Sequence, residues 1–263
     1  MGFGEAGWKV GLPSRYECKY LVSHAVARDV RSFIAPFMRP DEFARSREGH
    51  RYPICSLYLD THDLHLYRQT VHGEKNRFKL RVRSYSDEPD DAVFLEVKRR
   101  VDQVVVKRRA KLAREDATAF LNGGRHAGVD RAARELIGDI DLWGARPFLR
   151  VKYLREAYEA VDGDSLRVTI DTDVAWLPTL ETDLRMGGEG WIPTAVPAPI
   201  LEIKFTDRYP PWVAEMIRAL NLNRESVAKY VLSVDRFFAL DGGEGPRVRR
   251  APRREAFRRF AEA

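Results

Sequence analysis

Asn76-Arg77-Phe78-Lys79-Leu80-Arg81-Val82-Arg83-Ser84-Tyr85 sets Arg77, Lys79, Arg81 and Arg83 in alternation with Phe78, Leu80 and Val82. Side chains of a β-strand point to opposite faces with period two, so this segment has one wholly basic face and one wholly apolar face. The same pattern recurs in Arg15/Glu17/Lys19, Glu96/Lys98/Arg100, Gln103/Val105/Lys107/Arg109 and Glu202/Lys204. A single such strand would be an ordinary solvated one. Its recurrence predicts one charged surface assembled from several strands.

Working outward, eight strands are expected at Arg15–Val22, Pro53–Asp60, Asn76–Tyr85, Ala92–Arg100, Gln103–Ala113, Pro147–Ala160, Ser165–Trp176 and Ala198–Phe205. Asp/Glu/Pro turns separate the three central ones, and Val161-Asp162-Gly163-Asp164 carries an Asp-Gly hairpin signal. Helices are expected from an N-cap at Ser23 to about Met38, and at Thr61–Thr70, Glu115–Leu121, Val129–Asp139, Pro211–Leu220 and Arg224–Phe238. The fold class is therefore α+β: an eight-stranded antiparallel β-barrel with helices packed on the outside, closed so that no sheet edge is left unpaired.

Two orientations of the charged face are conceivable. The stripes of helices 23–38 and 211–238 need an apolar surface, which the outer strand faces supply if the charges point inward. The interior is then a basic tunnel. Like charges a few ångströms apart repel by ~4 kcal/mol at an effective dielectric near 20, so such a lining implies a polyanionic ligand. Arginine forks and lysine point charges together suit a chain of phosphates. Phosphate chains bring a divalent cation, Mn²⁺ or Mg²⁺, which asks for a carboxylate in the same lining. Glu202 is the first candidate; Glu17 and Glu96 come next, or serve as ion-pair partners.

Composition narrows the class further. At 263 residues and 44% hydrophobic content the chain can bury a substantial core. Its apolar runs are far shorter than the ~20 residues of a membrane span, so no transmembrane segment and a cytoplasmic protein are expected. Cys18 and Cys55 fall within apolar-patterned strands and read as reduced packing residues. The net charge of +6 is concentrated in the tail, residues 242–263, where seven arginines face three glutamates. The chain thus divides into a body, 1–241, and a basic tail expected to be disordered. A nearly balanced body argues for a local anion site, with no specific nucleic-acid partner. Walker-type loops and a Ser/His/Asp set are both absent.

Taken in order, Arg15-Tyr16-Glu17-Cys18-Lys19-Tyr20, Leu80-Arg81-Val82-Arg83, Glu96-Val97-Lys98, Val106-Lys107-Arg108-Arg109, Tyr153-Leu154-Arg155, Arg167-Val168-Thr169-Ile170-Asp171, Ile200-Leu201-Glu202-Ile203-Lys204 and Ala228-Lys229-Tyr230 resemble the VTC-type branch of the CYTH-like triphosphate tunnel metalloenzymes, from about residue 14 to 238. The resemblance implies a tunnel that binds ATP, triphosphate or inorganic polyphosphate with a divalent ion and builds polyphosphate from the ATP γ-phosphate. It implies phosphate contacts from Lys19, Arg81, Arg83, Lys98, Lys107, Arg155, Arg167 and Lys229, with Tyr153 beside them, and metal binding by Glu202. Lys98, Arg83, Lys107 and Arg155 would stabilise the transferred phosphoryl group. Arg15 stands where hydrolase members carry the first glutamate of Glu-x-Glu-x-Lys, which argues against triphosphatase or adenylate cyclase chemistry. Ala228 stands where Ser-Lys-Tyr is usual and removes a hydroxyl. An inorganic triphosphatase and a non-catalytic polyanion-binding module are the alternatives.

Overall fold

The computed structural model describes residues 15–101, 104–124, 129–163, 165–194 and 198–240; the basic tail lies outside them. Ten strands form one sheet: β1 (Arg15–Leu21), β2 (Met38–Pro40), β3 (Arg51–Asp60), β4 (Arg77–Ser84), β5 (Val93–Val101), β6 (Val104–Leu112), β7 (Arg146–Ala160), β8 (Arg167–Pro178), β9 (Ile192–Pro193) and β10 (Ile200–Thr206). The helices are α1 (His24–Ile34), α2 (Glu42–Arg45), α3 (His65–Val71), α4 (Arg114–Leu121), α5 (Arg131–Leu142), α6 (Pro211–Ala219) and α7 (Lys229–Leu240). The eight long strands are ordered β1-β10-β8-β7-β3-β4-β5-β6, all antiparallel, with β2 on β7 and β9 on β8. The sheet is curled into a half-barrel. Lys98 of β5 and Glu17 of β1, six places apart in the strand order, meet at 2.9 Å across its concave side. Among the described residues no backbone ladder joins the edge strands β1 and β6.

Alternation decides which face does what. Leu80 and Val82 of β4 are fully buried on the convex side with Leu57, Leu95, Val97 and the stripes of α4 and α5, including Phe120, Leu136 and Ile140. Burying each such side chain stabilises the fold by about 1.5–3 kcal/mol. On the other flank Tyr20, Val168, Leu201 and Ile203 face Ala27, Val30 and Ile34 of α1 and Val213 and Met216 of α6. Ser23 caps α1 by accepting from the Val26 amide at 3.2 Å, as its sequence position predicts. The helix stops at Ile34, short of Met38, because Pro36 has no N–H for the ladder. Met38–Pro40 then pairs with β7 as a short strand absent from the sequence-based expectation.

Helix α7 behaves differently from the others. Val231 and Val234 pack with Leu149, Val151 and Trp176. Val151 pairs with Ser56, and Ser56 with Arg83, so these apolar residues share the concave face with the charges. One end of that face is apolar, and α7 rather than solvent covers it. Residues 225–228, expected to be helical, stay non-helical because a bridge between Tyr20 and Arg224 and a hydrogen bond from the Glu225 amide to the Lys19 carbonyl (2.8 Å) tie them to β1. Cys18 and Cys55 are free and buried. No helix among the described residues is long and apolar enough to cross a membrane.

Candidate active site: a charged lumen

Register places the basic side chains in rows across the concave face. One row runs Tyr58, Arg81, Glu96, Arg109 over β3 to β6; a second runs Ser56, Arg83, Phe94, Lys111; a third sets Lys79, Lys98 and Lys107 side by side. Directly opposed like charges destabilise a strand pair, so each row needs acids or a ligand. Glu96, 1% exposed, answers for the first row: Arg81 lies 2.6 Å away, Lys107 2.6 Å and Arg109 3.4 Å. Burial alone would raise its pKa, but Arg81, Arg83 and Lys107 hold it well below the usual carboxylate range.

Three further acids complete the frame. Glu17 takes Lys19 and Lys98, each at 2.9 Å. Burial and the neighbouring Glu202 push Glu17 up, yet Lys19, Lys98 and Lys204 bring it down to about 2. Glu202, 5% exposed, takes Lys204 at 2.6 Å and lies 3.9 Å from Lys19. Asp171 accepts both fork nitrogens of Arg155, at 2.6 and 2.7 Å, and the Lys229 ammonium at 2.5 Å. Against the cost of burial, these two cations lower its pKa to about 2. Tyr153 is the junction: its hydroxyl accepts from Arg83 at 3.1 Å, and Lys229 and Arg155 lie 4.6 and 5.3 Å from its ring centre.

The lumen therefore gathers Lys19, Arg81, Arg83, Lys98, Lys107, Tyr153, Arg155, Lys229 and Glu202, all singled out in the sequence. Arg167 stands apart at the rim, where it binds Asp41 at 2.5 Å. Sequence reasoning assigned no role to Lys79, Arg109, Lys204, Tyr58 or Asp171. The period-two signal already placed Lys79, Arg109 and Lys204 on the charged face; Asp171 entered only within the Arg167–Asp171 stretch that carries the resemblance, and Tyr58 gave no signal beyond its place in a strand. The lining is not the bare set of repelling cations that alternation alone suggests, because Glu17, Glu96, Asp171 and Glu202 neutralise part of it. Ten basic side chains (Lys19, Lys79, Arg81, Arg83, Lys98, Lys107, Arg109, Arg155, Lys204 and Lys229) still face these four acids. With every lysine protonated the cations of this set outnumber the acids by six, which calls for an anion of high charge density.

The chemistry of the donor set suits a hard cation only with the ligand's help. Among the described residues no group of three or more His, Cys, Asp or Glu could hold a metal. Glu202 and Glu17 are electrostatic neighbours that share Lys19. One or two carboxylates plus phosphate oxygens is the ordinary way Mg²⁺ is held. The pair fits that mode and does not fit an all-protein metal cage. His65 stacks on Trp143.

Two separate cavities lie at opposite ends of the charged face. One, about 450 Å³, is lined by Phe43, Tyr52, Tyr85, Phe94, Arg109 and Arg167 among others. The other, also about 450 Å³, is lined by Lys19, Arg77, Lys79, Lys98, Arg100 and the segment 224–228 among others.

This geometry agrees with what the chain resembles. In solved structures, a Bacillus halodurans protein assigned as a candidate adenylate cyclase shares the fold with a TM-score of 0.53 at 14% identity, over 86% of this chain and 99% of that one. Vacuolar transporter chaperone complex subunit 4 of Trypanosoma cruzi is 25% identical over 221 residues, and that of Trypanosoma brucei brucei 26% identical over 216. Each alignment covers 68% of this chain but 27% of the relative, so the chain corresponds to about a quarter of those proteins. The profile of the VTC domain matches residues 14–238, almost all of the described body, and the chain belongs to the VTC domain family.

Proposed function

We propose that the lumen transfers phosphoryl groups between phosphate chains, and that its reaction is growth of inorganic polyphosphate from the γ-phosphate of ATP. The observation that carries this reading is the excess of basic over acidic side chains on one concave face with a cavity at each end of it, a lining that suits an extended chain of phosphates. The subunit 4 relatives support it as members of the same family.

In this reaction the terminal phosphate oxygen of the acceptor chain attacks the γ-phosphorus, the bond from that phosphorus to the β,γ-bridging oxygen breaks, and ADP leaves with the bond's electron pair. The attacking oxygen is already anionic at neutral pH, so the lining needs no general base. Its task is to hold donor and acceptor in line and to spread charge on the group in transit. Arg83, which donates to Tyr153, and Arg155, held by Asp171 beside the Tyr153 ring, supply fixed guanidinium charges; Lys98 and Lys107 add point charges from the neighbouring strands. A bound Mn²⁺ or Mg²⁺, held by Glu202 and Glu17, would neutralise phosphate charge. Glu17, Glu96, Asp171 and Glu202 position the cations between turnovers.

Incubation with γ-³²P-ATP and Mn²⁺ tests the reading. A long-chain labelled product is the expected outcome. Release of labelled orthophosphate alone would indicate hydrolysis, and intact ATP would reduce the lumen to a binding site.

A further inference from the structure

On the convex flank covered by α1 and α6, away from the lumen, a row of apolar side chains reaches the surface. Tyr16, 49% exposed, stacks on Phe205 with 5.4 Å between ring centres, and Tyr209 meets Phe205 edge-on at 4.8 Å. Past Pro210 and Pro211, Trp212 at the start of α6 lies flat on Phe37, ring centres 4.6 Å apart. The Phe37 carbonyl accepts from the Val161 amide at 3.1 Å, which sets the exposed Val161 side chain beside that stack. Phe205, Tyr209 and Trp212 rest on one core cluster, so the two stacks belong to a single surface. Exposed apolar side chains standing singly are ordinary, but a contiguous aromatic row marks a surface that something covers.

Chain direction points to the occupant. Arg15 and Thr206 are the last pair of the β1–β10 ladder, and beyond them the two strands part, because Asp207 takes a left-handed φ of 67° and the chain turns toward α6. Residues 1–14, which lie outside the described residues, therefore join the body next to Tyr16, at the row itself. Glu5 and Lys9 are their only charged side chains, and Trp8, Val10 and Leu12 fall at alternate positions. Those positions have the same parity as Tyr16, Cys18 and Tyr20, the apolar side of β1. Gly11 and Pro13 are turn residues, and Pro13 has no N–H to give a ladder, so the sequence favours a reversal ahead of Arg15. At ~3.5 Å per residue the stretch from Arg15 back to Trp8 reaches roughly 25 Å, enough to return along the row. The other segment outside the described residues, 242–263, carries a charge of +4 and follows α7, which packs in a different core cluster.

We propose that the row formed by Tyr16, Tyr209, Trp212 and Phe37 is the docking surface of the chain's own N-terminal segment, with Trp8, Val10 and Leu12 laid against it. The match is one of chemistry and of attachment: apolar side chains at alternate positions meet exposed rings, and the covalent link to Arg15 makes the contact intramolecular, so little entropy is spent in bringing the two together. The segment then closes the apolar flank of β1, whose charged side faces the lumen. The proposal is independent of the reaction assigned to the lumen.

The test is a thiol cross-link within the full chain. Trp8→Cys is combined with Phe37→Cys, or with Leu142→Cys on the flank covered by α5 as a control, and treated with a short bis-maleimide; Phe37 and Leu142 are exposed, whereas Cys18 and Cys55 are buried. A cross-link within one chain is expected for the Phe37 pair and not for the Leu142 pair. Deleting residues 1–13 should lower the melting temperature by about 4–8 °C and increase binding of a hydrophobic dye, while deleting 242–263 should do neither. Equal cross-linking of both pairs, or none at Phe37, overturns the proposal. Cross-linking of the Phe37 pair only between two chains also overturns it and assigns the row to a second copy. An unchanged melting temperature and dye signal after deletion of residues 1–13 overturns it as well.

Discussion

Lys79 and Lys98 stand directly opposite each other across β4 and β5, and Glu17 pairs with only one of them. Lys98 takes the carboxylate at 2.9 Å. Lys79 has no ion pair among the described residues. Burial, with Lys19, Lys98 and Arg77 nearby, depresses its pKa to about 7, and Glu17 only partly opposes this. Lys107 is lowered to about 8, chiefly by burial.

Proton uptake on ligand binding follows. An anion in the lumen favours the charged lysines, so tripolyphosphate binding at pH 8 should draw protons from the buffer, and affinity should fall as pH rises above about 7 to 8. Calorimetry in buffers of different ionisation enthalpy measures the uptake, and Lys79→Met should reduce it. Uptake unchanged in that variant would remove Lys79 from the site. In the ligand-free protein the sign is opposite. Between the folded value near 7 and the ordinary lysine value of 10.5 the unfolded state binds the extra proton, so this group makes stability rise with pH across that window.

Glu96 holds Arg81, Lys107 and Arg109 from a buried position. Glu96→Gln keeps the shape but leaves three cations uncompensated. Its partners are partly exposed, which reduces the full penalty of a broken buried pair, so the ligand-free protein should lose about 1–3 kcal/mol. Tripolyphosphate should then raise the melting temperature of the variant by more than that of the wild type. Thermal scans with and without the anion decide it, and an equal shift in both proteins would mean that Glu96 does not stand in for the ligand.

Most of the frame was legible because two periodicities were clean. Arg77 to Arg83 could sit on one face only as a strand, and the stripes of α1 and α6 needed an apolar surface to cover. The parts that escaped are those assembled across distance. Phe43, Tyr52 and Tyr85 come from α2, β3 and the residue after β4, and no local pattern joins them. The concave position of α7 escaped because its stripe is compatible with either face of the sheet. Only the pairing of Val151 with Ser56 reveals that Leu149, Val151 and Trp176 make one end of the charged face apolar. Asp171 escaped as well, because its partner Lys229 is 58 residues further along the chain.

Glu202→Gln tests the proposed metal site. The substitution preserves size and oxygen geometry but removes the negative charge a hard cation needs. Turnover of γ-³²P-ATP with Mn²⁺ should be abolished, while tripolyphosphate binding measured in EDTA is kept or strengthened, because Lys19 and Lys204 are freed for the anion. Full Mn²⁺-dependent activity in this variant would move the metal elsewhere.

The lumen and the arginine-rich tail are separable by substitution. An enclosed, charge-assisted phosphate contact contributes about 1.5–3 kcal/mol, so Arg83→Ala or Lys98→Ala should weaken tripolyphosphate binding by roughly ten- to a hundredfold. Their effects on the ligand-free fold should differ. Arg83 is 5% exposed and donates to Ser56 and Tyr153, so its loss leaves buried hydroxyls without a donor and lowers the melting temperature. Lys79→Met removes an unpaired charge and keeps an aliphatic stem, so it should raise the melting temperature. Deleting residues 242–263, whose charge is +4, should change neither lumen affinity nor this ordering. If the deletion abolishes binding and the lumen substitutions are silent, the polyanion site is the tail, and the curled sheet contributes only the fold.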